Sequence, residues 1–354
     1  MNNVDKQYQD LLTKILDKGR QKGDRTGTGT ISIPFAALEF DMSEGFPLLT
    51  TKKVFTKAII HELLWFLKGD TNVKSLEQHN VSIWTSDAYR EYTKEWMKQN
   101  PPMSGPYSEK MLSKEEFIES LRNPSSKGWD LGPVYGAQWR RWKSYSTHKQ
   151  SPEEFDDVIY IDQIQQVMDK LINNPDDRRI MVSAWNVAEI DKMALPPCHY
   201  GFQLYSEELT FEERFEYGLN ILGYNGLLDS DNDADTLGLM DAYSVPKRRL
   251  SLIWDQRSCD TFLGIPFNIA SYGILLHMFA QQANMVPDRL IGSLKNVHVY
   301  NNHIDQCKEQ IAREPRKLPK LVLNKAKDIF SYTYDDIQIV DYNPHEKIVG
   351  AISV

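Results

Sequence analysis

Met193-Ala194-Leu195-Pro196-Pro197-Cys198-His199 joins a helix-like segment, Val187 to Met193, to a strand-like one, Tyr200 to Tyr205. Two prolines ahead of the cysteine remove two N–H donors and fix two φ angles near −65°. Each also pushes the residue before it out of helical geometry. The Cys198 thiol therefore sits at a stiff corner, which suits a side chain that must be aimed. A buried cysteine acting as a small hydrophobe is the bland alternative. A nucleophile needs partners elsewhere in the chain.

Toward the N-terminus, Tyr160 to Asn174 has helical periodicity, with Ile161, Ile164, Val167, Met168, Leu171 and Ile172 read as inward. Pro175 ends it, Arg178-Arg179 follow, and Ile180 to Trp185 reads as a strand. Adjacent arginines are commonly a solvated pair, but they also suit a phosphate dianion, which guanidinium binds bidentately. Toward the C-terminus, Glu207 to Lys247 is acidic and glycine-rich and reads as an insertion. Its Asp229 to Asp235 run lacks the glycine and glutamate of a calcium loop. Arg249 to Asp255 resumes as a strand. Gln256-Arg257-Ser258-Cys259-Asp260-Thr261-Phe262-Leu263-Gly264-Ile265-Pro266-Phe267-Asn268 then leads into a long apolar helix, Ile269 to Ala283. Asn268 at the start of that helix is either an N-cap or an amide that reads a ligand. Asn296 to Tyr300 reads as a strand, Asn302 to Arg313 as a helix, and 321–323 and 337–340 as two alternating strands.

The first half opens with an amphipathic helix carrying Tyr8, Leu11, Leu12, Ile15 and Leu16 on one side. Asp24-Arg25-Thr26-Gly27-Thr28-Gly29-Thr30 enters a strand, Ile31 to Phe40, whereas a phosphate-cradling P-loop enters a helix. Within the helix Ala58 to Lys68, Glu62 lies among apolar neighbours and must face solvent, find a partner or shift its pKa. Thr85 to Trp129 is charged and tyrosine-rich and reads as a surface excursion.

The 354 residues suffice for a large core. Hydrophobic residues are 41% and charged residues 25%, as in ordinary soluble proteins. A net charge of −8 argues against nucleic acid as the main partner. Three cysteines, none in a Cys-x-x-Cys pair, argue against a disulfide framework and a zinc site, and for a reducing, cytoplasmic setting. No signal peptide and no membrane-length apolar run is expected.

Eight blocks carry a resemblance that covers nearly everything outside 85–129 and 207–247. They are DRTGTGT (24–30), PLLTTKK (47–53), HELLWFLKGDTN (61–72), LGPVYGAQWR (131–140), DRRIMVSAWN (177–186), MALPPCH (193–199), QRSCDTFLGIPFNIASY (256–272) and HVYNNH (298–303). In this order they closely resemble thymidylate synthases. The resemblance implies an α+β fold: a twisted, mixed, mostly antiparallel sheet with helices on one face and a dimer interface on the other. It implies a single domain, 1–354, with insertions at about 85–129 and 207–247. It implies reductive methylation of dUMP to dTMP, with 5,10-methylenetetrahydrofolate as one-carbon donor and reductant and no metal.

By the same resemblance Cys198 is the nucleophile that adds to C6 of uracil, which turns C5 into an enolate carbon. Arg257 supplies a field that lowers the thiol pKa. Arg25, Gln256, Arg257 and Ser258 bind dUMP, joined across a homodimer by Arg178 and Arg179. Asn268 reads the uracil edge, and His298 and Tyr300 hold the deoxyribose. Glu62 organises water and protons, Tyr135 is tied to removal of the C5 proton, and His199 lines the same cavity. Asp260 meets the pterin. Trp84, Leu263, Gly264 and Phe267 form the folate wall, Lys52 meets the glutamyl tail, and Val354 closes the site. Three departures stand out: Asp87 where many members carry a second tryptophan, Lys295-Asn296 before His298, and the insertion at 207–247. The altered wall leaves a dUMP hydroxymethylase, in which water quenches the intermediate, as the alternative. A non-catalytic RNA-binding relative is disfavoured by the acidic balance and by the presence of Cys198, Glu62 and Asn268.

Overall fold

A computed structural model describes residues 2–101, 110–145, 158–222 and 233–352. In chain order the elements are α1 (Asn3–Lys18), β1 (Arg20–Lys22), β2 (Thr30–Asp41), α2 (Thr56–Leu67), α3 (Lys74–Gln78), α4 (Thr85–Gln99) and α5 (Lys114–Arg122). Then come α6 (Tyr135–Arg140), β3 (Trp142–Tyr145), β4 (Val158–Ile161), α7 (Gln163–Asn173), β5 (Met181–Ser183), β6 (His199–Glu208) and α8 (Phe211–Leu222). The remainder is α9 (Asp233–Ala242), β7 (Arg248–Gln256), β8 (Cys259–Asp260), α10 (Gly264–Gln282), β9 (Val286–Tyr300), α11 (Ile304–Ile311), β10 (Lys320–Leu323) and β11 (Ile337–Val340).

The main sheet runs β1-β2-β9-β7-β6-β5, with β8 added beside β9. Its pairs are antiparallel except β7–β9 and β8–β9. This is the mixed α+β sheet expected. One face packs under the helices. α10, with Ile265, Ile269, Ile274, Leu275, Met278 and Phe279 buried, is apolar nearly all round, as a helix enclosed by the core must be. α1 seats Val4, Tyr8, Leu11, Leu12 and Ile15 against the same core. Its buried Asp5 accepts hydrogen bonds from the amides of Thr50 (2.9 Å) and Thr51 (3.0 Å), which fixes the Leu-Leu-Thr-Thr segment. The other face leaves Phe35, Met181 and Tyr205 more than half exposed and carries the Lys295–Asp255 ion pair.

Three registers bring the candidate residues together. Thr30 pairs with Tyr300, so the glycine-threonine loop ahead of β2 meets the end of β9. His199 pairs with Gln256, which sets Cys198 beside Arg257. Asp260 pairs with His298. A register shift between His199 and Gly201 bends the start of β6 next to the thiol. Pro34, which has no N–H for the ladder, lies between the Ile33–Val297 and Phe35–Lys295 pairs, facing Asn296. Asn296 is left-handed there, at φ 44°, a conformation asparagine tolerates better than most residues.

Several expectations need correction. Tyr160 and Ile161 belong to β4, and α7 begins at Gln163. Ile172 is 60% exposed, because the buried stripe of α7 (Ile164, Val167, Met168, Leu171) faces away from it. Asn268 is the fifth residue of α10, so it is not an N-cap. The stretch 85–129 is more than a surface excursion. Tyr89, Tyr92, Phe117 and Trp129 stack into an aromatic cluster that binds α4 to α5. Glu207 and Glu208 extend β6. Beyond β6 the described residues of 207–247 form α8 and α9, with Met240 and Val245 in a small core of their own. Most of the Asp229 to Asp235 run lies outside the described residues.

Candidate active site

Gly132 lets the Leu131–Tyr135 segment lie against the loop before Cys198. Its φ is 77°, and a Cβ there would stand 2.0 Å from the Lys192 carbonyl oxygen. That approach lets the Ala194 amide donate to Leu131 O (2.8 Å) and the Cys198 amide to the Tyr135 hydroxyl oxygen (2.7 Å). Pro196 and Pro197 offer carbonyls but no N–H groups. Arg257 accepts the role of partner: its Nε donates to Pro197 O (2.8 Å), an Nη to Pro196 O (2.9 Å), and its amide to Cys198 O (2.8 Å). The same guanidinium lies 5.2 Å over the Trp185 ring. The stiff corner read from the two prolines is thus real, and an arginine clamps it.

Cys198 opens onto a cavity of about 490 Å³ lined by Arg25, Arg257, Ser258, His298 and Tyr300 among others. Arg25 is carried by a loop whose shape comes from Asp24, which accepts from the amides of Thr26 and Gly29 (both 2.6 Å). His298 is buried, with Nδ1 2.8 Å from Asn296 O, so the left-handed Asn296 orients its ring. The thiol is not acidified, however. Burial pushes its pKa up, Arg257 pulls it down, and the carboxylates of Asp87 and Asp260 push it up again. The expected cationic field is outweighed within this single chain.

Behind the thiol is a second set of side chains. Trp84 Nε1 donates to Glu62 Oε1 (2.7 Å). Burial raises the Glu62 pKa to about 7, and the Trp84 bond only partly offsets this. Glu62 therefore found a partner and shifted its pKa. The Tyr135 ring stacks on His199 at 4.2 Å and meets Trp84 edge-on at 5.9 Å. Burial keeps His199 neutral, with its pKa lowered to about 3, and its Nδ1 lies 2.9 Å from the Tyr272 hydroxyl. Asn268 Oδ1 and the Asp260 Cβ both lie within 4 Å of the point where a Gly264 Cβ would stand, so amide and carboxylate flank one turn. One Asp260 oxygen accepts from the amides of Phe262 and Leu263 (3.1 Å each) ahead of α10.

Other expectations are not met in this arrangement. Gln256 faces the core at 2% exposure, with its Nε2 on Ser258 O (3.0 Å), so it braces the Arg257–Ser258 turn from beneath. Lys52 is turned inward, donating to Phe262 O with its ammonium 3.7 Å over that ring. Burial lowers its pKa to about 7. It does not extend toward solvent, where a glutamyl tail would lie. Arg178 and Arg179 are exposed beside β5 and do not line this chain's own cavity. Trp84 is buried in the core, Leu263 and Phe267 pack against it and Gly264 opens α10; none of the four lines the cavity, whose apolar lining comes instead from Ile83, Leu195 and Ile352. Val354 lies outside the described residues.

Sequence reasoning missed His303. It is fully buried, its Nε2 lies 2.8 Å from Ala351 O, and it thereby holds the segment that carries Ile352 into the cavity. The signal was available, since His303 ends the HVYNNH block. Tyr272, which orients His199, lay within another quoted block. Arg90, whose Nη2 donates to Ala194 O (2.8 Å) in the loop before Cys198, had no such signal. Among the described residues no group of three or more His, Cys, Asp or Glu side chains converges on a metal position.

The family model described as thymidylate synthase matches residues 6–354. A protein of Corynebacterium aurimucosum named thymidylate synthase is 40% identical over 351 residues, 99% of this chain and 98% of the relative. One of Buchnera aphidicola subsp. Schizaphis graminum with the same name is 40% identical over 350 residues, 99% of this chain and 100% of the relative. Matched by that family model over nearly its whole length and 40% identical to both relatives, the chain belongs to the thymidylate synthase family.

Proposed function

We propose that the cavity at Cys198 binds dUMP beside methylenetetrahydrofolate and converts dUMP to dTMP. The observation that carries this reading is the clamped Pro-Pro-Cys loop, which presents the thiol to a cavity lined by Arg25, Arg257 and Ser258. The nucleotide phosphate lies on those three residues, and His298 and Tyr300 take the sugar hydroxyl. Asn268 pairs with the uracil edge, because an amide offers one donor and one acceptor.

The Cys198 sulfur adds to C6, and electron density moves onto C5 and O4. Glu62, with a pKa near neutrality, holds or passes a proton at O4 through water. Tyr135, whose hydroxyl oxygen already accepts from the Cys198 amide, keeps its own proton, because burial holds its pKa well above 10. Its hydroxyl therefore orients the water that takes the C5 proton. Folate supplies a one-carbon unit and a hydride when bound. Ile83, Leu195 and Ile352 suit its flat ring system, and the Asp260 carboxylate, set ahead of α10 by the amides of Phe262 and Leu263, suits its ring N–H groups. The C-terminal segment held by His303 excludes water.

The exposed sheet face bearing Phe35, Met181 and Tyr205 packs on a second copy. There Arg178 and Arg179 of the partner subunit complete the phosphate site and add the positive field that one chain lacks. No helix among the described residues is long and apolar enough to cross a membrane. The three unpaired cysteines accord with action in the cytoplasm.

Product analysis tests the reaction. Purified protein given dUMP and methylenetetrahydrofolate is expected to yield dTMP and dihydrofolate. Hydroxymethyl-dUMP with tetrahydrofolate would contradict the reading. Asn268→Asp tests the base assignment. A carboxyl in place of the amide presents acceptors where uracil N3–H and O4 require both kinds of group. The preference for dUMP over dCMP, measured as a ratio of kcat/KM, is expected to fall by at least about a hundredfold. An unchanged ratio would remove Asn268 from base recognition.

A further inference from the structure

The inserted helix α4 reaches the nucleophile. The loop before Cys198 has carbonyls at Pro196 and Pro197 tied to Arg257, and one more, Ala194 O, accepts from Nη2 of Arg90 at 2.8 Å. Arg90 is held in that pose by Asp87 one turn earlier (Nη1 to Oδ1, 2.6 Å) and by Glu91 (3.4 Å). The side chains of Arg90 and Asp87 are only 28% and 20% exposed, and both line the cavity that holds Cys198. A partly buried ion pair at a reactive cavity, bonded to the loop that carries the nucleophile, is an expensive arrangement if its only use is to dock a helix. The aromatic cluster of Tyr89, Tyr92, Phe117 and Trp129 already does that.

We propose that Arg90 and Asp87 are positioning residues for Cys198. From α4 they fix the Ala194 end of the loop, as Arg257 fixes the Pro197 end, and together they set the charge balance over the sulfur. The pair rests on the reading of Cys198 as the nucleophile. The charged and titratable groups around the sulfur come from every neighbouring element: Arg257 and Asp260 from the β7–β8 turn and β8, Asp24 and Arg25 from the loop before β2, Lys22 from β1, His298 and Tyr300 from β9, Tyr135 from α6, and His199 from β6. Asp87 opposes ionisation of the thiol, and Arg90 neutralises Asp87.

The test is the pH dependence of Cys198 alkylation by iodoacetamide, read site by site by mass spectrometry, alongside steady-state kinetics. Arg90→Met keeps the aliphatic stem and loses the charge. Its alkylation midpoint is expected to rise by ~0.5–1 pH unit, and its kcat to fall about tenfold with little change in KM for dUMP. Asp87→Asn keeps the hydrogen bond to Arg90, and its midpoint is expected to fall by a similar amount. In Arg90→Met/Asp87→Asn the two shifts are expected to cancel, and Arg90→Lys is expected to recover part of the lost kcat. A merely structural pair would change thermal stability and leave all midpoints within ~0.2 unit of the parent, which would overturn the proposal. If Arg90→Met does not fold, Asp87→Asn decides alone, and an unlowered midpoint rejects the idea. Alkylation is read without turnover, so this failure is distinct from that of the nucleophile assignment, which full activity in Cys198→Ser would show.

Discussion

Cys198→Ser is expected to lower kcat at least about ten-thousandfold while the protein still binds dUMP with near-parental affinity. The argument is chemical. A serine on the same corner keeps the same backbone partners, the Tyr135 oxygen on its amide and the Arg257 amide on its carbonyl. What it lacks is an accessible anion: among the described residues no base is hydrogen-bonded to the side chain at position 198 to take a proton from an alcohol. His199 is buried and neutral and bonded to Tyr272, and Tyr135 keeps its proton. Binding survives because the phosphate and sugar contacts lie on other side chains. Steady-state turnover, with equilibrium binding of dUMP measured on the same preparation, checks both halves. Turnover within tenfold of the parent would remove covalent catalysis from the account.

Glu62→Gln is expected to lower kcat by about a hundred- to ten-thousandfold, with a much smaller effect on KM for dUMP. Glutamine keeps the acceptor for Trp84 Nε1 but cannot hold or release a proton. The substitution also has a stability signature with a definite sign. The folded-state pKa of Glu62 is about 7, above the ordinary carboxyl value of 4.5. Below pH 4.5 the carboxyl is protonated in folded and unfolded chains alike, and no cost arises. Between 4.5 and 7 the folded state binds the extra proton, so the wild type loses stability as pH rises through that window. Above 7 the buried carboxylate costs up to about 3 kcal/mol. Glu62→Gln is therefore expected to be more stable than the parent at pH 8 and equal to it near pH 4.5, by thermal melts across that range. A variant that melts lower at pH 8 would show that the ionised carboxylate is satisfied by partners other than Trp84. The same pKa predicts that activity needing the protonated form declines above pH ~7 and that the decline disappears in the variant.

Much of the fold was legible because its signals are local. The two prolines, the glycine-threonine loop and the apolar α10 each specify backbone geometry over a few residues. The adjacency of Cys198 and Arg257 was not legible from periodicity. It depends on the β6–β7 register, and residues 209–247 separate those strands in sequence. Only the resemblance brought them together. Gln256 could have been placed correctly, since it continues the alternation of Leu250, Leu252 and Trp254 on the buried side of β7. Its polar character misled. Lys52 and the thiol pKa failed for a shared reason: burial decides both, and burial of a single lysine or cysteine leaves no trace in composition. Arg90 was invisible because its partner is a carbonyl, Ala194 O, and any residue type presents one.

The central claim is a covalent bond between Cys198 Sγ and C6 of the pyrimidine. A dUMP analogue with fluorine at C5 has no C5 proton to release, so a reaction that proceeds through the adduct stalls there. Incubation with this analogue and methylenetetrahydrofolate, followed by digestion and mass spectrometry, reads the bond directly. The account predicts that the peptide containing Cys198 carries the nucleotide, and that Cys259 and Cys307, both fully buried, do not. An unmodified Cys198 peptide under conditions where dUMP is turned over would contradict it.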